Sequence, residues 1–178
     1  PSRGLLQGVA LRTRLHTPAF AGVTIREESE IEMTEPTSGE FRDGAHWLPL
    51  RVYYEDTDFT GVVYHANFLR YMERGRSDFI RLSGVDHVFM AAQGGAAFAV
   101  AKIDIDYKKP ARIDDALVVR SVFLPVKGVR LHALQQVFRG DELLAEARVT
   151  AVCVGPDTRP VKPPRAMIER LAPWMTAE

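Results

Sequence analysis

Residues 67–82 read NFLRYMERGRSDFIRL, the clearest helix pattern in the chain. Apolar side chains and one glycine recur along it at intervals of three or four residues, at Phe68, Met72, Gly75, Phe79 and Leu82. This spacing predicts an amphipathic helix with one buried face, capped by Asn67 and stopped by Ser83-Gly84. A glycine inside a helix costs about 1 kcal/mol relative to alanine. Gly75 therefore predicts close packing of this helix on a sheet, with a merely tolerated glycine as the alternative.

Strand patterns lie on both sides of the helix. Before it, Leu50, Val52 and Tyr54 alternate with Arg51, Tyr53 and Glu55. After it, short turns separate four further strand segments, which span residues 99–107, 116–124, 129–138 and 143–154. Short turns between consecutive strands predict antiparallel hairpins. The expected fold class is α+β, with one long helix against a five-stranded antiparallel sheet.

Composition narrows the class of protein. The 178 residues are 46% hydrophobic and 26% charged, which is ordinary for a folded domain. Lys and Arg (23) balance Asp and Glu (23), so bulk charge does not favour nucleic-acid binding. No apolar run approaches the roughly 18 residues of a membrane span. The single cysteine, Cys153, cannot form an internal disulfide, which indicates a reducing compartment such as the cytoplasm.

The first part of the chain differs from the rest. Residues 1–45 carry five arginines and seven acidic residues, a net charge of −2, and show no sustained period. They are predicted to be a disordered or non-native N-terminal extension, and residues 46–178 the folded domain. The first methionine is Met33, and we hypothesise that it is the natural start.

Candidate chemistry concentrates in residues 54–67, YEDTDFTGVVYHAN. Acidic residues there follow a strand, a glycine turns the chain, and a helix begins. A helix start offers unpaired N–H groups and a partial positive charge, which suit a developing oxyanion. An ionised aspartate beside it suits thioester cleavage, because a thiol leaves without a strong general acid. The alternative is that Asp56 and Asp58 only form turns and caps.

Three segments, YYEDTD (53–58), GVVYHANFL (61–69) and YMERGR (71–76), resemble the signature of hotdog-fold acyl-CoA thioesterases. The nearest branch is the Tol–Pal-associated one, within the 4-hydroxybenzoyl-CoA thioesterase-like family. The resemblance covers about residues 48–170. It implies a curved antiparallel sheet wrapped around a central helix. It also implies a homodimer, often assembled into a tetramer, that binds acyl-CoA between subunits.

The resemblance also assigns roles. Asp58 matches the catalytic carboxylate, and the backbone N–H that polarises the thioester falls at about His65. The His65 ring either orients water or Asp58, or merely caps the helix. Glu73 is a second candidate carboxylate, because related enzymes place their base on this helix; the alternative is an ion pair with Arg70 or Arg76. The departures from the signature are Phe59-Thr60, where small residues are common, and Gly75, where alanine is common.

The remaining expectations concern ligands and partners. The predicted substrate-binding residues are Gly61, Val62, Val63, Tyr64 and Asn67. Histidine and cysteine spacings indicate no metal site, and no cofactor is expected beyond the coenzyme A of the substrate. The predicted function is hydrolysis of an acyl-CoA to a free acid and CoA. The alternative is an acyl-binding module that works through acyl carrier protein, phospholipid-synthesis enzymes or envelope machinery.

Overall fold

The computed structural model describes residues 38–176, and the predictions for residues 1–37, including the start at Met33, lie outside them. Within that range the strands are β1 (Glu40–Arg42), β2 (Ala45–Arg51), β3 (Ala97–Tyr107), β4 (Ala116–Phe123), β5 (Arg130–Arg139) and β6 (Glu142–Val154). The helices are α1 (His65–Leu82), α2 (His87–Ala92) and α3 (Arg165–Leu171), with short 3₁₀ turns at Tyr54–Asp56 and Ala172–Trp174. None of these helices is long and apolar enough to cross a membrane.

The strands form one antiparallel sheet in the order β1-β2-β4-β5-β6-β3. The long helix α1 packs against β2, β4 and β5. Its Gly75 makes the close approach that the sequence predicts, since a Cβ atom there would lie 3.0 Å from Val119 Cγ1 and 3.2 Å from Ser121 Oγ. The helix ends at Leu82, and Gly84 follows with φ of +78°.

The sheet of the described chain has six strands, not the predicted five. The missed strand is β1, which has three residues and pairs with β2 through a two-residue turn at Asp43-Gly44. Both turn residues have positive φ, 50° and 68°, as a tight hairpin requires. The folded part of the chain therefore starts before the predicted boundary at residue 46. Three residues are too few to show a period of two, so the pattern did not reveal this strand.

The start of α1 also differs from the prediction. The helix begins at His65 after Tyr64, two residues before the predicted cap Asn67. Asn67 is buried, and its Nδ2 donates to the carbonyl of Asp56 at 2.7 Å. Its side chain therefore ties the helix to the preceding loop instead of capping the first turn. The described chain also contains the short helices α2 and α3.

Candidate active site

A tight turn places Asp58 in front of the start of α1. The Asp58 N–H donates to the carbonyl of Val62 at 2.9 Å, and the Gly61 N–H donates to the carbonyl of Asp58 at 3.0 Å. Gly61 has φ of +77°, a conformation that glycine adopts at little cost. Thr57 bridges to Val63 across the base of the turn. The turn is thus closed by its own backbone.

The Asp58 carboxylate is held on one side only. Its Oδ1 accepts hydrogen bonds from the hydroxyl of Thr60 at 2.5 Å and from the Thr60 N–H at 2.8 Å. These bonds, the hydroxyl first, lower the pKa of Asp58 below its usual value, and the Val62 N–H adds a smaller lowering. No side chain among the described residues donates a hydrogen bond to Oδ2. Asp58 is therefore ionised at neutral pH with one oxygen open.

The first turn of α1 is open as well. Tyr64, the residue before the helix, has φ −59° and ψ 132°, and its side chain caps nothing. In the stretch 38–176 the N–H groups of His65 and Ala66 meet no acceptor. Free N–H groups at the start of an 18-residue helix attract negative charge. The predicted oxyanion donor at His65 is thus available.

The His65 ring does not reach Asp58 through a hydrogen bond in the described structure. It is exposed and contacts the Tyr64 ring at 4.3 Å between centroids and the edge of Tyr107 at 6.2 Å. The Tyr107 hydroxyl donates to the carbonyl of His65 at 3.1 Å. Among the described residues the His65 ring makes only aromatic contacts, whereas its backbone N–H is free.

Asp56, the first aspartate of the motif, has a structural task. Its side chain is 6% exposed, and its Oδ2 accepts the N–H of Tyr53 at 2.8 Å. Its carbonyl accepts the N–H of Tyr64 at 2.9 Å in addition to the Asn67 amide. Asp56 therefore fixes the loop to the helix start, as the turn-and-cap interpretation proposed for it. Burial, followed by the charge of Asp56, raises the pKa of the Tyr71 phenol, whose hydroxyl makes no regular hydrogen bond among the described residues.

The predicted substrate-binding segment divides by burial. Gly61 and Tyr64 are exposed and Val62 is half-buried, whereas Val63 and Asn67 are buried. The Val63 N–H donates to the carbonyl of Ala111 at 2.8 Å, which fastens the segment to the loop before β4. In the single chain, Gly61, Val62 and Tyr64 are therefore the accessible residues of this segment.

Glu73 is engaged on both oxygens. Oε2 pairs with Arg76 Nη2 at 2.5 Å, and Oε1 accepts the Ser77 hydroxyl at 2.7 Å. Arg76 also donates to Oε1 of the buried Gln135 at 2.7 Å. The ion-pair interpretation of Glu73 is therefore the one the structure shows.

Glu73 and Arg76 stand at the rim of a cavity of about 100 Å³ between α1 and the sheet. Its walls are mostly apolar and come from Ile80, Phe98, Val100, Phe123, Leu131, Ala133, Val149 and Ala151. No interaction joins this cavity to Asp58 in the described residues, so the two predicted carboxylates are not brought together.

Metal and thiol chemistry find no support in the described part of the chain. No group of three His, Cys, Asp or Glu residues within 38–176 is arranged to hold a metal ion. Cys153 is fully buried, and burial raises the pKa of its thiol. The protonated thiol is a packed strand residue and a poor nucleophile.

Comparison with known proteins now places the chain. The profile of the thioesterase-like superfamily matches residues 52–173, well over half of the sequence. The chain belongs to this superfamily. It is a thioester hydrolase.

Individual relatives agree with this placement. The chain is 38% identical over 112 residues to the acyl-CoA thioesterase YbgC of Haemophilus influenzae, spanning 63% of this chain and 82% of that protein. It is 39% identical over 109 residues to the acyl-CoA thioester hydrolase YbgC of Escherichia coli O157:H7, spanning 61% and 81%. The crystal structure of a probable thioesterase from Bartonella henselae superimposes with a TM-score of 0.64 at 35% identity, covering 67% of this chain and 99% of that one. The hotdog thioesterase fold implied by the resemblance is thus confirmed, with the sixth strand as a difference.

Proposed function

We propose that this thioester hydrolase cleaves acyl-CoA to a free carboxylic acid and CoA, with Asp58 as its catalytic carboxylate. One observation carries the proposal: a carboxylate with an open oxygen lies in the turn that leads directly into an open helix start. The two groups supply a base or nucleophile and an oxyanion donor, the pair that thioester cleavage needs. The names of the Haemophilus and Escherichia relatives support acyl-CoA as the substrate class.

The proposed mechanism follows from these charges. The carbonyl oxygen of the thioester accepts a hydrogen bond from the His65 N–H, which stabilises the negative charge that develops there. Asp58 Oδ2 either attacks the carbonyl carbon or takes a proton from the attacking water. In the first case an acyl anhydride forms, CoA leaves as the thiolate, and water then releases the acid. In the second case water attacks directly, and the same products result.

The surrounding residues fit this reaction. Gly61, Val62 and Tyr64 form the accessible part of the substrate-binding segment, and the buried Val63 and Asn67 hold that segment in place. The thiolate of CoA is a good leaving group, because a thiol has a pKa near 8.5. The proposed reaction therefore uses neither a metal nor a further cofactor.

We also propose a homodimer, and a tetramer built from two dimers. Strand β3 is an edge of the described sheet, and most of its residues are exposed. Val100 and Tyr107 on this strand are each 45% exposed. An unpaired edge with apolar side chains favours pairing with another copy of the chain. We place the assembly in the cytoplasm, in keeping with the lone, reduced Cys153.

Partners beyond the substrate belong to the competing hypothesis. In that hypothesis the domain mainly presents an acyl group to acyl carrier protein, phospholipid-synthesis enzymes or the Tol–Pal envelope machinery. The open Asp58 oxygen favours catalysis over a purely passive binding site, since a passive site gains nothing from an unpaired carboxylate. The first hypothesis predicts that the chain turns over an acyl-CoA, and the second predicts that it mainly binds a partner.

A hydrolysis screen tests the proposal. The purified full chain is offered short, long, aromatic and hydroxylated acyl-CoAs, and release of free thiol is measured against an acyl carrier protein thioester. Turnover of at least one acyl-CoA class is expected. Uniformly absent turnover, together with retention of acyl carrier protein on the immobilised chain, would instead support the binding module.

A further inference from the structure

Thr60 makes an unusual contact with the proposed catalytic carboxylate. Its hydroxyl and its backbone N–H both donate to the same oxygen of Asp58, at 2.5 and 2.8 Å. The second oxygen receives no side-chain donor from the described residues. A carboxylate held at one oxygen has a fixed rotation, so the free oxygen has a defined direction.

The charged groups near this turn do not hold the Asp58 carboxylate in place. The carboxylate of Asp56 accepts the Tyr53 N–H, Arg112 lies across from Val62, and His65 opens α1. No ion pair reaches Asp58 from any described residue. Thr60 is therefore the side-chain donor that acts on this carboxylate within residues 38–176.

The hydroxyl is not needed to form the turn. The backbone bonds from Asp58 N–H to Val62 and from Gly61 N–H to Asp58 close it already. Thr60 is also exposed, so its hydroxyl fills no packed space. The contact therefore has a consequence for the carboxylate rather than for the fold.

We propose that Thr60 is a positioning residue, whose hydroxyl fixes Asp58 Oδ1 so that Oδ2 faces the thioester carbon or the attacking water. The proposal rests on the function proposed for Asp58. Thr60 occupies a position where the resembling enzymes commonly have a small residue. The backbone N–H donor is available to any non-proline residue at this position, and the Thr60 hydroxyl adds a second, side-chain donor to the carboxylate.

Three variants separate the hydroxyl from the rest of the side chain. Thr60→Val removes the O–H and keeps the β-branched shape, and Thr60→Ser keeps the O–H. Thr57→Val is the matched control, because the Thr57 hydroxyl donates to the carbonyl of Tyr54 in the same loop at 2.9 Å and does not touch Asp58. The kcat, the KM and the pH profile of kcat/KM are measured for each with the best substrate of the screen.

The expected result is specific to the hydroxyl. Thr60→Val should lower kcat by about tenfold with KM nearly unchanged, because the carboxylate is misoriented and substrate contacts are intact. The acid limb of its profile should move to higher pH, since loss of the donor raises the pKa of Asp58. Thr60→Ser should resemble the wild type, and Thr57→Val should keep the wild-type acid limb. An unchanged kcat and acid limb in Thr60→Val, or an equal loss in Thr60→Ser, would overturn the proposal.

A second measurement does not depend on turnover. The Asp58 carboxyl carbon is titrated by NMR in the full chain, for the wild type and the three variants. A higher pKa in Thr60→Val alone supports the lock, and identical titrations in all four proteins reject it. If the screen shows no hydrolysis while this titration moves as expected, the proposed function fails and the contact stands. If hydrolysis occurs and the titration does not move, only the role of Thr60 fails.

Discussion

The two ends of helix α1 differ in whether their polar groups have hydrogen-bond partners. At the first turn, the N–H groups of His65 and Ala66 have no partner among the described residues, and one oxygen of Asp58 has no side-chain donor there. In the second half, Asp78 is 6% exposed and accepts the N–H of Gly39 at 2.7 Å, the Nε2 of His46 at 2.9 Å and a guanidinium bond from Arg81. Buried groups must be paired to be tolerated, whereas a reactive group must stay open. The open end is therefore where the proposed chemistry takes place, and the paired end fastens the β1–β2 hairpin to the helix.

The pKa shifts at the two ends of the helix also have different causes. Burial lowers the pKa of His46 and outweighs the opposing pull of Asp78, so the ring is held neutral. Burial acts to raise the pKa of Asp78, but hydrogen bonds from Gly39 and His46 and the charge of Arg81 outweigh it, and the pKa is lowered. Both groups therefore resist protonation in the folded state. Asp58, by contrast, lies in contact with solvent. Thr60 is the one side chain whose hydrogen bond lowers its pKa within the described residues.

The largest effect is expected at the paired end. Asp78→Ala leaves the Gly39 N–H and the buried His46 ring without their acceptor, and it should lower the free energy of unfolding by about 3–5 kcal/mol. Denaturant unfolding measures this. Asp86→Ala is the control, because Asp86 only caps α2 through the Phe89 N–H at 2.7 Å, and its loss should cost about 1 kcal/mol. Equal losses of unfolding free energy in the two variants would contradict the structural role assigned to the buried Asp78.

At the open end, the backbone donor can be removed with little structural cost. Proline is tolerated at the first helical position, which is His65, and Tyr64 already has the extended backbone that precedes proline. His65→Pro should lower kcat by roughly 10²–10³, the usual loss for one oxyanion donor. His65→Ala keeps the N–H, and its kcat should fall by less than about tenfold. A larger loss in His65→Ala than in His65→Pro would assign the role to the ring.

The pH dependence of stability tests the paired end in another way. Because the pKa of His46 is lower in the folded state than the ordinary 6.5, stability is fully present above that value and is lost as pH falls toward the folded pKa. His46→Gln keeps an N–H donor for Asp78 and cannot titrate. Its free energy of unfolding should vary less between pH 7 and pH 5 than that of the wild type. Parallel curves for the two proteins would show that another group controls this range.

The smallest effect is expected at Glu73, between the two ends. Its oxygens are taken by Arg76 and Ser77, and its side chain is 55% exposed. Glu73→Gln should change kcat by less than about fivefold and stability by less than about 1 kcal/mol. A loss of several hundredfold in kcat would instead indicate that Glu73, on this helix, is the catalytic carboxylate.

The sequence predicted the parts of the molecule that depend on local patterns. The helix end at Leu82, the close contact at Gly75 and the four strands after the helix all follow from periodicity and turn residues. It did not predict β1, which is too short for a pattern. Nor did it predict that Asn67 ties the helix to the loop.

The candidate site divides in the same way. The motif indicated Asp58 and the backbone N–H at about His65, because both lie within ten residues of one another, although it placed the helix start itself two residues too late. The His46–Asp78 pair joins residues 32 positions apart, and the Arg76–Gln135 bond joins residues 59 apart. Such pairs depend on how the strands are ordered in the sheet, which no local pattern encodes. Thr60 is close in sequence, yet only the turn geometry shows that its hydroxyl and N–H converge on one oxygen.

One substitution separates the charge of the Asp58 carboxylate from its shape and so tests whether Asp58 is the catalytic carboxylate. Asp58→Asn keeps the shape of the side chain and its acceptor oxygen for Thr60, and it removes the charge. With the best acyl-CoA of the screen, kcat should fall by about 10²–10⁴ while the circular dichroism spectrum and the unfolding midpoint stay near those of the wild type. Turnover close to the wild-type value in this folded variant would contradict the claim.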